Sequence, residues 1–262
     1  VIYHRFFAVV SALFLILLAF VALKASPTRT DILILSPHPD DAVLCCAGII
    51  QQAVKNGQTV HVVNLTDGDG YATAAARLAK KPESELTPDD FIRFGDVRRE
   101  EEIRAMRILG VPHRDVTFLG YPDYWLPEVY EATATPFINP FTKRSHTPAG
   151  LPYTKSSLIA DIQSILSKRN PSMIYVPGLD DTATDHQITH HALLDATQDT
   201  YPPIQVRRYV IHSEEKIRDV MKVFLTDKER ETKRDALRVY RTQLAEDEDY
   251  LMSFTQDNEF YY

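Results

Sequence analysis

The segment Asp31 to Ser36 reads Asp-Ile-Leu-Ile-Leu-Ser, with four apolar residues in a row and no alternation. A strand that is apolar at every position has no face to give to water. It must be covered on both sides, which is the situation of a central strand in a parallel sheet. The rest of the chain agrees, because strand and helix signals alternate. Ala42 to Lys55 is helical in pattern and is ended by Asn56 and Gly57. Thr59 to Leu65 reads as the second strand. Gly68 to Pro88 is polar and reads as a loop. Phe91 to Leu109 is a long charged helix with Gly110 at its end, and Val116 to Leu119 is a short strand. Ser156 to Lys168, Met173 to Pro177, His186 to Thr197 and Arg208 to His212 continue as helix, strand, helix and strand. Thr226 and Glu229 form a capping-box pattern opening a last helix to about Leu251.

This order predicts an α/β fold: a Rossmann-like, open, mostly parallel sheet with helices on both faces. The 35 residues from Gly120 to Thr154 are rich in Pro, Tyr, Phe and Thr, too long for a plain connection. A loop of that length is expected to lie over a site.

A hydrophobic helix is expected ahead of the domain. Phe6 to Leu23 is apolar over 18 residues except for Ser11. As a helix it would be roughly 27 Å long, close to the hydrocarbon thickness of a bilayer. It reads as a single-pass signal anchor over residues 1–25, or alternatively as a signal peptide removed on secretion. Arg5 on one side and Lys24 and Arg29 on the other leave its orientation open. The short stretch Ser26 to Thr30 would then hold the 26–262 domain within roughly 20 Å of the membrane.

Composition excludes several classes. Hydrophobic residues at 44% and charged residues at 25% are those of a globular chain with a real core. A formal net charge of −7 argues against a nucleic-acid partner. The two cysteines, Cys45 and Cys46, are adjacent on an apolar helix and read as buried, inert thiols rather than a disulfide framework. Oligomeric state has no signature here.

The chemistry is concentrated in two places. Ser36, Pro37, His38, Pro39, Asp40 and Asp41 follow the first strand directly, where ligands bind in open α/β sheets. Asp185 and His186 follow the Met173–Pro177 strand and open a helix. Taken alone, the first string also suits an ordinary polar turn and helix cap. Taken together, His38, Asp41 and His186 make a two-histidine, one-carboxylate set with open positions. Such a set suits catalytic zinc, with ferrous iron or another divalent ion as alternatives. Asp40 then points elsewhere.

These residues resemble the PIG-L/LmbE-like de-N-acetylases. Supporting the resemblance, in order along the chain, are Leu65 to Gly68, Arg99 to Glu102 with Ala105, Leu109 and Gly110, Phe118 to Asp123, and Tyr240 to Gln243. The resemblance implies a zinc-dependent hydrolase that removes acetyl from an N-acetylglucosamine-type conjugate, including lipid-linked ones. It implies His38, Asp41 and His186 as zinc ligands, Asp40 as general base and Asp123 beside the sugar hydroxyls. Asp185 is expected to orient its neighbouring ligand.

Two positions depart from the family pattern. Ala42 stands where a Glu is usual, and Ala183 where a His that helps stabilise the oxyanion is usual. His190, one helical turn after His186, is a candidate replacement. The departures keep a second reading open, a catalytically degenerate sugar- or lipid-binding module. The His-and-carboxylate pattern also matches a ferrous oxygenase triad, although strand–helix alternation does not suit the jelly rolls that usually carry one. Among the remaining features, Arg99 or Glu102 is expected to brace the site. The loop aromatics Tyr121, Tyr124, Trp125, Tyr130, Phe137, Phe141 and Tyr153 are divided between stacking on a ligand and packing the loop. Thr66 to Asp69 is either a cation loop or a strand-end turn. His61 and His212 read as structural.

Overall fold

The computed structural model describes residues 30–198, 204–213 and 220–262. The expected anchor or signal at 1–25 lies outside these. Among the described residues no helix is long and apolar enough to cross a membrane.

The elements run in order as β1 (Ile32–Ser36), α1 (Asp41–Lys55), β2 (Val60–Thr66), α2 (Ala72–Ala79), α3 (Pro88–Ile108), β3 (Val116–Tyr121), α4 (Leu126–Glu131), α5 (Lys155–Arg169), β4 (Met173–Pro177), α6 (Thr184–Thr197), β5 (Gln205–Tyr209), β6 (Met221–Phe224), α7 (Asp227–Leu237), α8 (Arg241–Ser253) and β7 (Asn258–Tyr261). The five-stranded sheet has the order β3-β2-β1-β4-β5, and every pairing in it is parallel. The chain builds outward from β1 to β3, then returns to lay β4 on the other side of β1. That reversal leaves a crevice at the C-terminal ends of β1 and β4.

β1 explains the layering. Ile32 and Ile34 belong to one core with Val43, Ile50 and Ala47 of α1 and Met106 of α3. Leu33 and Leu35 belong to the other, with Leu158 and Ile162 of α5 and Leu193 of α6. Side chains alternate across a strand, so an unbroken apolar run fills two cores at once. Helices therefore cover both faces, as the pattern predicts.

Some elements differ from the sequence reading. The polar stretch 68–88 contains α2, whose Ala74 and Ala75 pack on Phe91 and Phe94 of α3. The long loop contains the single-turn-plus α4. The last helix is two helices. Thr226 and Glu229 do form the capping box, with Thr226 N donating to Glu229 Oε2 at 2.7 Å. The helix then breaks after Leu237 because Tyr240 turns fully inward, with a non-helical backbone. β6 and β7 pair antiparallel as a separate small sheet. Cys45 and Cys46 are buried as expected but are joined by a disulfide rather than free. Their Cα atoms are 3.8 Å apart, below the usual bridging range, which is why adjacency argued for thiols.

Candidate active site

The loop after β1 is tied down before any catalytic side chain is considered. Ser36 Oγ donates to His38 O at 2.8 Å, and Thr66 Oγ1 donates to Pro37 O at 2.9 Å. Asp40 carries φ 118°, a region that side-chain-bearing residues rarely occupy. Arg98 of α3 holds it there. Its Nη2 donates to Pro39 O at 2.7 Å and to Asp40 Oδ2 at 3.1 Å, and its Nη1 donates to Gly68 O at 2.9 Å. Asp40 N donates to Glu102 Oε2 at 3.1 Å, and the Tyr240 hydroxyl donates to the same oxygen. Thr242 N donates to Glu101 Oε1 at 3.2 Å. The charged face of α3 and the start of α8 thus clamp the loop from behind. Gly68, at φ 65°, is a glycine for two reasons: its backbone is left-handed, and a Cβ there would collide with the Arg98 guanidinium.

The structure brings His38, Asp41 and His186 together as a group able to hold a metal ion. His38 Nδ1 lies 3.2 Å and His186 Nε2 3.4 Å from Asp41 Oδ2. Asp41 and His186 are almost fully buried. The Nε2 of His186 has no hydrogen-bond partner although it is enclosed. A buried nitrogen left unpaired is costly unless something else fills the coordination, and two imidazoles with one carboxylate are donors for a divalent ion. The residues present therefore fit such an ion. Far-side partners orient both imidazoles. His186 Nδ1 faces Asp181 Oδ2 at 3.0 Å, and His38 Nε2 faces Asp123 Oδ1 at 3.1 Å and Asp185 Oδ2 at 3.3 Å.

Burial pushes the Asp40 carboxyl up to about 7, with Arg98 opposing and the Asp41 charge reinforcing the rise. Burial works against protonation of His186, but the Asp41 charge and the Asp181 hydrogen bond outweigh it and hold its pKa at about 9. Asp41 is held well below the usual carboxylate range, because the two histidines overcome its burial. Two neighbouring carboxylates are thus driven apart, one kept ionised and one poised near neutrality.

Several expectations change. The carboxylate that orients His186 is Asp181, not Asp185. Asp185 instead accepts from Tyr124 N at 2.8 Å and Leu126 N at 3.2 Å, fixing the turn into α4, and reaches His38. Asp123 is 3% exposed and lines the cavity, where it faces His38 and accepts from Gly70 N at 2.8 Å. His190 does not face the site, since its Nδ1 meets Pro177 O at 2.6 Å. Glu102 does brace the loop, but the arginine that does so is Arg98 rather than Arg99. Of the loop aromatics, Tyr124 reaches the cavity, whereas Trp125 packs on Phe137 and Phe141. Thr66 to Asp69 is a strand-end turn, and Asp67 and Asp69 join no metal-holding group among the described residues. His212, read as structural, lines the cavity with Ala183. No spacing rule marks it, because it arrives from the end of β5, far along the chain.

The cavity over this group measures about 530 Å³, in the range of small-molecule sites. His38, Asp40 and Asp41 lie at its base. Gln243, Glu246 and Tyr250 of α8 form one wall.

A parallel sheet with a His-Asp-His group at its switch point defines an α/β protein with a candidate hydrolytic metal centre. Residues 33–197 match the model of the PIG-L family, described as GlcNAc-PI de-N-acetylase, and the chain belongs to that family. Solved structures share the fold. The N,N′-diacetylchitobiose deacetylase of Pyrococcus horikoshii aligns with a TM-score of 0.61 at 19% identity, covering 92% of this chain and 88% of that one. The A40926 pseudoaglycone deacetylase aligns at 0.60 and 21%, covering 89% and 96%. The 4-carboxy-2-hydroxymuconate hydratase GalB of Pseudomonas putida aligns at 0.58 and 19%, covering 87% and 83%. A hydratase on the same scaffold shows that the fold does not by itself fix the reaction.

Proposed function

We propose that the protein is a zinc-dependent de-N-acetylase acting on an N-acetylglucosamine-type conjugate. The observation that carries this reading is the convergence of His38, Asp41 and His186 beside a separately held carboxylate, Asp40, with His38, Asp40 and Asp41 lining one cavity. A zinc ion held by those three residues would polarise the amide carbonyl and make water more acidic.

The chain's own residues supply the rest. Asp40 is not a member of the ligand group, and Arg98 fixes the direction of its carboxylate. It takes one proton from the attacking water as the oxygen adds to the carbonyl carbon. It then passes that proton to the amide nitrogen as the C–N bond breaks, leaving acetate and a free amine. Asp123 positions His38. A carboxylate has more lone pairs than these two contacts use, so a sugar hydroxyl at the cavity wall is its third partner in this reading. Tyr124, 60% exposed at the rim, offers a stacking face. The apolar run Phe6–Leu23 supports a single-pass anchor and, with it, a lipid-linked conjugate; secretion after signal cleavage is the alternative.

A degenerate binding module is the alternative that Ala42 and Ala183 motivate. One experiment separates the two: zinc stoichiometry and acetate release from N-acetylglucosamine, N,N′-diacetylchitobiose and N-acetylglucosaminyl-phosphatidylinositol. About one zinc per chain with acetate release supports the enzyme. Neither metal nor acetate supports the binding module.

A further inference from the structure

Ala183 presents no polar side chain to the cavity, and His212 lines the same cavity from another part of the chain. Thr182 N and Oγ1 donate to His212 O at 2.7 and 2.8 Å, so residues 182 and 212 are backbone neighbours. The His212 ring lies edge-on to His186, with centroids 4.9 Å apart. Asp181 Oδ2 fixes both, accepting from His212 N at 3.2 Å while it faces His186 Nδ1. Ala183 and His212 line the cavity together with His38 and Asp41. Nδ1 of His212 is 3.0 Å from the Tyr250 hydroxyl, and its Nε2 has no hydrogen-bond partner among the described residues.

We infer that His212 is a catalytic residue of this chain, donating a hydrogen bond from Nε2 to the oxygen that becomes negative during amide hydrolysis, with Tyr250 as its positioning residue. The inference rests on the deacetylase reading above. When the Tyr250 hydroxyl donates to Nδ1, the neutral ring carries its proton on Nε2. As water adds to the carbonyl carbon, the C=O pair moves onto oxygen, and the Nε2–H meets that charge. As the C–N bond breaks, the pair returns to form acetate. A fixed donor aimed at developing charge is typically worth about 10²–10³ in rate. The small residue at 183 then makes room for a ring delivered from β5.

The test uses the metal-loaded full chain and N,N′-diacetylchitobiose as probe. His212→Ala should lower kcat about 10²–10³-fold with little change in KM and unchanged zinc content. Ala183→His in the His212→Ala background should restore much of the rate, which a merely structural role for residue 212 would not allow. Tyr250→Phe should lower kcat with KM unchanged. If wild type turns over and His212→Ala, folded and zinc-loaded, stays within about threefold of it, the inference is overturned while the deacetylase reading stands. If His212→Ala fails to fold, Tyr250→Phe decides, and an unchanged kcat there overturns the inference. If zinc-loaded wild type releases no acetate from the probe, the deacetylase reading fails first and takes the inference with it.

Discussion

Asp181 Oδ2 lies 3.0 Å from Nδ1 of His186, and that contact leaves Nε2 as the nitrogen facing Asp41. The same oxygen accepts from the backbone N–H groups of Ile211 at 2.9 Å and His212 at 3.2 Å. One carboxylate therefore sets the tautomer of a candidate ligand and joins β5's end to the start of α6. Asp181→Asn should weaken metal binding about 10–100-fold, the usual cost of losing a ligand's orienting partner. Competition against a zinc chelator measures this. Asp185→Asn, whose carboxylate does not touch His186, should show the smaller loss.

The two adjacent aspartates should separate by function. Asp41→Ala should lose metal and activity together. Asp40→Ala should keep about one zinc per chain and lose about 10²–10⁴ in kcat, the range of a general acid–base group. Metal analysis alongside steady-state kinetics checks both. Equal metal loss in the two variants would contradict the division of roles.

Arg98 is the keystone of the Asp40 turn, with three hydrogen bonds that stop at no other side chain but Asp40. Arg98→Met would strand a buried carboxylate and two carbonyls. Breaking a buried pair from one side costs about 3–5 kcal/mol, so urea unfolding should show a loss of that order. Arg98→Lys should not restore it, because an ammonium lacks the guanidinium's fork.

His61 on β2 provides a pH test remote from the site. Its Nε2 meets Thr117 Oγ1 at 3.0 Å, and burial, then the Arg169 charge, holds its pKa down at about 4. An unfolded histidine titrates near 6.5. Between those values the unfolded chain binds a proton that the folded chain refuses. The contribution of His61 to stability is therefore complete above about pH 6.5 and declines as pH falls towards 4. Urea midpoints at pH 7 and 4.5 should differ less for His61→Gln than for wild type.

How legible these features were follows from their range along the chain. β1 and the His38–Asp41 string are local signals: an unbroken apolar run names a central strand, and the residues after it fall at its C-terminal end. His186 is legible for the same reason, standing after β4. Asp181 was not, because an aspartate in a loop carries no periodicity, and its role depends on where the β5 end comes to rest. Arg98 was hidden among the charges of α3, where only burial distinguishes it from Arg99. The helix break at Tyr240 has no sequence signal, because the helical pattern of α7 runs on past Leu237 without a breaker. Asp185 does not orient His186, because adjacency in sequence puts the two side chains on different sides of a helix, about 100° apart.

The α8 wall of the cavity lies wholly beyond residue 197, where the match to the family model ends. His38, Asp40, Asp41 and His186 are therefore written in one stretch of the chain, and this wall, together with His212, in another. Exchange of Gln243 or Glu246 would therefore reshape the cavity without touching any of the three candidate ligands.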